Sequence, residues 1–297
     1  MVCVKITFPG YKSCPESRFK EKFPPAEPPF DQFKKFLPPG MSIVSFEGVS
    51  INFQKKEITR FFHLYEYVKT SKANREKVIT DILKWLDNNH DRFVIDKEIA
   101  FSTKCSLSFV FVPAGYPYEK TNIFSELSSH PIIVITYHSE GHLEILTYNI
   151  ESFCRLIRKL RGGEFFKHPK QLKAARTYFE CYLANRTCDP WPGDIDALVC
   201  RQENEKYHPL VLVEFKTHNL NTPIEEERAF KYSREDRRRL NALFIMQNAL
   251  KVDLVYIIWS RDYSKIKVEV NPFSDFKKNR ITKVCDWKDL KDIFLKF

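Results

Sequence analysis

Four ionisable side chains lie beside or inside apolar runs in the stretch WPGDIDALVCRQENEKYHPLVLVEFKTHN: Asp194, Asp196, Glu214 and Lys216. A half-buried strand does not usually carry charge in that way, so the first question is whether the four meet. Strand side chains alternate between faces. In LVLVEFK, Leu210, Leu212, Glu214 and Lys216 therefore share one face, and Val211, Val213 and Phe215 the other. In DIDALVC, Asp194 and Asp196 share a face while Ile195 points away. A symmetric hairpin of strands 194–200 and 210–216, centred on Glu205, pairs Asp196 with Glu214 and Asp194 with Lys216. Directly opposed residues have Cβ atoms about 4.5–5.5 Å apart, so two carboxylates there repel unless a positive charge sits between them. A divalent ion meets that need. Mg²⁺ takes one or two carboxylates and leaves positions for water and phosphate oxygens. It polarises a phosphate and acidifies its bound water. Lys216 is then placed to orient or help deprotonate that water, or to steady charge in the transition state. Phosphodiester hydrolysis needs those parts.

Asp196, followed after a turn by Glu214-Phe215-Lys216, resembles the signature of the PD-(D/E)XK nuclease superfamily. Gly193-Asp194-Ile195-Asp196 resembles the glycine–acid–apolar–Asp form of its resolvase-like and restriction-like members. The resemblance implies that Asp196, Glu214 and Lys216 are catalytic. It also implies that Asp196 and Glu214 hold the ion, with the carbonyl of Phe215 as a further ligand and Asp194 assisting. Glu180, in AARTYFECYLANR, matches the acidic residue that members tend to carry on the helix before the hairpin. Mg²⁺ is the implied cofactor, with Mn²⁺ able to substitute. The proline that usually precedes the Asp is displaced to Pro192, which leaves Asp194 as an alternative principal ligand. The resemblance covers roughly residues 165–262 and says nothing about the N-terminal half. The competing reading is a solvent-facing hairpin with ordinary cross-strand ion pairs. It does not account for acids flanked by Val, Leu and Phe in both strands.

Other residues are candidates for nucleic-acid contact. SREDRRRLNALFIMQNAL sets Arg234, Arg237, Arg238 and Arg239 at the start of a helix whose buried stripe is Leu240, Leu243, Phe244 and Leu250. Cations at a helix N-terminus oppose the macrodipole, which favours phosphate contact over a merely solvated face. His218, two residues after Lys216, is within reach of phosphate or water; a surface loop histidine is the plainer alternative. Lys173, with Lys167 and Lys170, precedes Glu180 and is placed to track a backbone; exposed lysines are the plainer alternative. Gln247 reads as a buried structural amide.

The elements that must position these residues follow from periodicity. A strand is expected over 42–53, a helix over 70–89, strands over 93–99 and 106–112, and a hairpin over 131–148 turning at 139–142. A helix over 150–160 ends at Arg161-Gly162-Gly163, where a domain boundary is placed. Beyond it come a helix over 169–185, the hairpin, a helix over 233–250, strands over 253–260 and 266–270, and a short helix from Trp287. The first 39 residues hold eight of the 17 prolines and read as an extended arm packed through Phe19, Phe23, Phe30, Phe33 and Phe36. The organisation is then an arm (1–40), an N-terminal α+β domain (41–163) and a nuclease domain (164–297). The fold class is α/β, with a C-terminal restriction-endonuclease-like core, a central mixed sheet flanked by helices.

The whole chain sets the outer bounds. Its 297 residues are 43% hydrophobic, with 26 Phe and 13 Tyr, which excludes global disorder. No apolar run is long enough for a membrane span. The N-terminus lacks the pattern of a secretory signal, so an intracellular, cytoplasmic protein is expected, not secreted and without a membrane partner. The eight cysteines form no CxxC and read as free buried thiols, with a zinc site of Cys181, Cys188 and Cys200 as the lesser alternative. A formal net charge of +10 fits a polyanionic partner. The reading is a metal-dependent nuclease acting on nucleic acid, with a DNA endonuclease favoured. The N-terminal half is left for substrate recognition or homodimerisation, since double-strand cleavage often requires two active sites. The rivals are an RNA-cleaving nuclease of the same fold and a non-catalytic nucleic-acid-binding scaffold with a vestigial core.

Overall fold

The computed structural model describes residues 4–7, 12–14, 29–69, 74–114, 131–164, 166–169, 172, 174–218, 223–229, 237–260, 262, 264–273 and 281–297. Its strands are β1 (Val4–Thr7), β2 (Lys12–Ser13), β3 (Met41–Asn52), β4 (Glu57–Lys69), β5 (Ser106–Pro113), β6 (Ile132–Tyr137), β7 (Leu143–Tyr148), β8 (Ala174–Ala175), β9 (Gly193–Glu203), β10 (Lys206–Thr217), β11 (Asp253–Trp259), β12 (Ile266–Val270) and β13 (Ile281–Cys285). The chain forms two compact units, Met1–Pro25 with Glu47–Gly193, and Ala26–Phe46 with Asp194–Phe297. The division therefore falls at Gly193, and residues 164–193 belong to the first unit rather than to the hairpin's. Both units are mixed α/β, with mostly antiparallel strands and flanking helices.

In the first unit, β4 lies between β3 and β5, and β6 and β7 follow in order. β4 and β5 are parallel, and the other pairs in this run are antiparallel. The connection from β4 to β5 is helical, through Arg75–Asn88 and Val94–Ser102. Residues 93–99, expected as a strand, thus form a 3₁₀ turn (His90–Phe93) and a helix. The buried positions Phe93, Asp96, Ile99 and Ala100 follow a helical period, and the acid among them hides the stripe. Asp96 is buried because His63 Nε2 stands 3.2 Å from its Oδ1, while His63 Nδ1 meets Glu47 Oε2 at 2.8 Å. β4 is buried along most of its length and shows no alternation, which is why the sequence gives little sign of it.

The expected helix over 169–185 is confined to Tyr178–Arg186, begun by a Thr177–Glu180 capping box. Upstream of it, β8 pairs with β2, and beside that pair Cys14 is bonded to Cys181. This corrects the expectation of free thiols throughout, and removes Cys181 from any zinc site; Cys105, Cys154, Cys188, Cys200 and Cys285 are free. The N-terminal arm is more regular than expected. β1 pairs with β4, and residues Phe30–Lys35 form a helix started by Pro29, where a missing N–H costs nothing. Phe19 and Phe23 lie outside the described residues.

In the second unit the strands run β13-β12-β11-β10-β9. β9 and β10 form the expected hairpin, helix Arg237–Leu250 crosses over, and β11 returns parallel to β10. One sheet face is a hydrophobic core of Ala197, Val199, Val211, Val213, Phe215, Val255, Ile257, Val268 and the C-terminal Leu290, Ile293 and Phe294. The arm's helix joins it: Phe33 is fully buried, 5.4 Å ring to ring from both Phe215 and Phe294. Among the described residues, no helix is long and apolar enough to cross a membrane.

Candidate active site

The opposite face of the second unit's sheet carries the charge. Its register depends on two local features. Asn204 and Glu205 both have positive φ (50° and 63°), the two-residue turn that matches strand twist. It pairs Lys206 with Glu203 and Pro209 with Cys200. Extended unchanged, that register would oppose Glu214 with Ile195 and send Asp196 to the apolar face. An irregularity between Pro209 and Val211 shifts the pairing by one, so Val211 meets Val199 and Val213 meets Ala197. Glu214 and Asp196 are the next positions, on one face as expected. The ladder's last pair is Val213 with Ala197. Beyond it the Asp196 side chain takes a backbone carbonyl's place, its Oδ2 accepting the Phe215 N–H at 2.7 Å. Asp194 therefore does not oppose Lys216 in the ladder.

Glu214, only 2% exposed, is held by two cations. Lys216 Nζ lies 2.8 Å from its Oε1. Arg239 grips it as a fork, Nε at 3.2 Å from Oε1 and one terminal nitrogen at 2.5 Å from Oε2. The other terminal nitrogen donates to the Asp194 carbonyl at 2.6 Å and lies 3.5 Å from Asp194 Oδ1. Burial by itself would raise the Glu214 carboxyl, but Arg239 and Lys216 outweigh it and hold it down at about 2. Burial pushes the Asp196 carboxyl up to about 8, and the charges of Glu214 and Asp194 add to the push, against a weaker pull from Arg239 and Lys216. Burial would lower Lys216, yet Glu214 raises it above its ordinary value. Lys216 is thus an ammonium at neutral pH, suited to stabilising negative charge and not to removing a proton.

Arg239 belongs to the arginine run by sequence, yet its position differs from its neighbours'. It precedes Leu243, Met246 and Leu250, all buried, by four, seven and eleven residues, so it lies on the helix's inward stripe. Its side chain is 15% exposed, whereas Arg237 is exposed and Arg238 intermediate. Arg234 and Lys173 lie outside the described residues. Glu180 belongs to the first unit, where its Oε2 accepts from the Thr177 N–H at 2.8 Å and from the Thr177 hydroxyl at 3.0 Å. His218 is buried rather than on the surface: its N–H continues the ladder to the Trp259 carbonyl at 2.8 Å, and its Nδ1 faces Glu227 Oε1 at 3.7 Å. Gln247 is structural, donating to Asn271 Oδ1 at 3.0 Å.

The charged face extends further than the hairpin. Through β11, Lys216 lines up with Ile258 and Lys267, and Glu214 with Tyr256 and Glu269. Lys267 is 1% exposed and donates to the carbonyls of Glu225 and Glu227, while Glu269 Oε2 accepts the Ala229 N–H at 3.0 Å. This second Lys–Glu pair fastens segment 224–229 to the sheet. Its alternation in IKVEV reads as a solvent face, and only the shared parity with Glu214 and Lys216 signals otherwise.

The donor types suit a hard divalent ion: the carboxylates of Asp194, Asp196 and Glu214, and a peptide carbonyl at Phe215. Their present arrangement does not. Among the described residues, no three His, Cys, Asp or Glu side chains are grouped to hold a metal, and Glu214 faces its two cations.

No protein-family model and no curated protein matches the chain. Among solved structures, the chain shows a likeness to a sex pheromone staph-cAM373 precursor, at 9% identity and a TM-score of 0.20, covering 95% of this chain and 86% of that one. The C-terminal domain of such a precursor from Staphylococcus aureus gives 8% identity and a TM-score of 0.19, covering 78% of this chain and 66% of that one. Likenesses at that level carry no structural argument.

Proposed function

We propose that the second unit is a divalent-metal-dependent nuclease with a restriction-endonuclease-like core, cleaving phosphodiester bonds as an endonuclease, with DNA the preferred substrate. The observation that carries this reading is the convergence of Asp194, Asp196, Glu214 and Lys216 where the hairpin ladder ends, under a helix that begins with arginines. The order hairpin, crossover helix and parallel strand supports the core. Mg²⁺, or Mn²⁺ in its place, would be held by Asp194, Asp196, Glu214 and the Phe215 carbonyl, and when bound would supply a Lewis acid and an acidified water. The protein's own groups do the rest. Lys216 holds a proton at Nζ beside Glu214 and offers positive charge to the transition state. The Phe215 amide fixes the Asp196 carboxyl by its hydrogen bond. Arg237, exposed on the helix's first turn, is placed for backbone phosphate contact. The first unit is assigned to substrate recognition or dimerisation.

One observation favours a second reading. The Arg239 fork supplies to Glu214 the positive charge that an ion would, as a vestigial, non-catalytic nucleic-acid-binding core would require. The test is incubation with plasmid, linear and single-stranded DNA and with RNA, in Mg²⁺, Mn²⁺ or EDTA. Metal-dependent nicking or linearisation of plasmid supports the proposal; cleavage of RNA alone transfers it to the RNA-cleaving form. Binding without cleavage of any substrate in either metal favours the scaffold.

A further inference from the structure

Glu214 cannot serve an ion and Arg239 at once. Both its oxygens are engaged, Oε1 by Lys216 and Arg239 and Oε2 by Arg239. A guanidinium does not lose its proton, so it cannot yield by becoming neutral. It can yield only by moving, and it projects from the third residue of helix Arg237–Leu250, beside the exposed Arg237. A guanidinium fork that leaves a carboxylate finds an equivalent bidentate partner in two phosphate oxygens. We infer that Arg239 is the site's resident counter-ion and its phosphate-binding residue: it neutralises Glu214 at rest, and exchanges Glu214 for a nucleic-acid phosphate when a divalent ion arrives. The inference rests on the metal-site reading of the proposed function. It makes ion and nucleic acid mutually dependent, because each removes what opposes the other, and such coupling is reciprocal.

The same exchange explains the asymmetry of the cluster. Lys216 follows Glu214 by two on the same strand, so the two share a face and stay neighbours. Arg239 reaches Glu214 from a separate element and also holds the Asp194 carbonyl, so one side-chain movement frees groups on β9 and β10 together.

The test is Mn²⁺ binding, followed by electron paramagnetic resonance, in wild type, Arg239→Gln and Asp196→Asn, with duplex binding measured by anisotropy. Arg239→Gln should bind Mn²⁺ at least about tenfold more tightly than wild type, within the usual range of site-to-site coupling. It should also bind duplex less tightly when Mn²⁺ is present. Arg239→Lys keeps the charge but not the fork and should fall between; it carries the test if Arg239→Gln does not fold. A purely structural arginine would lower the melting temperature on substitution without tightening Mn²⁺. If Arg239→Gln binds Mn²⁺ no better than wild type, while Asp196→Asn abolishes binding, the inference fails and the nuclease reading stands. If neither wild type nor Arg239→Gln binds Mn²⁺, both fail.

Discussion

Asp196→Asn should make the protein more stable, and by an amount that depends on pH. Burial, and the charges of Glu214 and Asp194, raise the Asp196 carboxyl from an ordinary 3.8 to about 8. Between those values the unfolded chain has lost this proton and the folded chain has kept it. Stability therefore falls as pH rises from about 4 to about 8. At about 1.4 kcal/mol per pH unit, the ceiling on that loss is about 6 kcal/mol at pH 8 and about 2 kcal/mol at pH 5. Relaxation and water penetration around a buried charge reduce such penalties to roughly half the ceiling. Asn keeps an oxygen for the Phe215 N–H and carries no charge. The expected gain is about 3 kcal/mol at pH 8 and less than about 1 kcal/mol at pH 5. Urea unfolding of wild type and variant at pH 5, 6, 7 and 8 measures it. Parallel stability profiles across that range would refute the reasoning, since they would mean that Asp196 is ionised in the folded protein at pH 5. The variant should lose divalent-metal binding as it gains stability.

Further expectations concern the other charges. Glu214→Gln leaves Lys216 and Arg239 without their buried partner and should cost about 3–5 kcal/mol at pH 7 by urea unfolding. Because the Glu214 carboxyl is held below its ordinary 4.5, at about 2, its contribution is present above 4.5 and lost as acid approaches 2, so the penalty should shrink on acidification. Reversing Arg237 and Arg238 to Glu should weaken duplex binding and flatten its log–log salt slope by about 0.9 for each phosphate no longer neutralised, read by anisotropy. In the first unit, burial opposes the His63 imidazolium but Glu47 and Asp96 outweigh it and raise it to about 10. That contribution is full below 6.5 and lost as pH rises towards 10, so thermal stability should decline over pH 7–10 in wild type and hold flatter in His63→Gln.

Much of this was legible in the sequence because it depends on local periodicity. The hairpin, the crossover helix and the parity that gathers Asp194, Asp196, Glu214 and Lys216 follow from alternation and turn residues. From Val211 to Val213 the pairing follows the expected register through two compensating departures: the turn is centred between Asn204 and Glu205, and the irregularity before Val211 shifts the pairing by one; the ladder ends before the expected Asp196–Glu214 and Asp194–Lys216 pairs. What was not legible depends on groups distant in sequence. Asp96 breaks a helical stripe only because His63 meets it from β4. Lys267 and Glu269 look solvent-facing until segment 224–229 covers them. The Cys14–Cys181 bond joins residues 167 apart. Arg239 was visible as the arginine in phase with Leu243, Met246 and Leu250, but charge made it read with its exposed neighbours.

The central claim is that this face hydrolyses phosphodiesters, and Lys216 tests it most directly because it is not a candidate metal ligand. The measurement is single-turnover cleavage of a duplex in Mg²⁺ by wild type and Lys216→Met, with Mn²⁺ binding followed in the same preparations. Retained Mn²⁺ binding and a cleavage rate lower by about 10²–10³-fold are predicted, the usual contribution of one positioned charge-stabilising donor. Equal cleavage by the two proteins would contradict the claim.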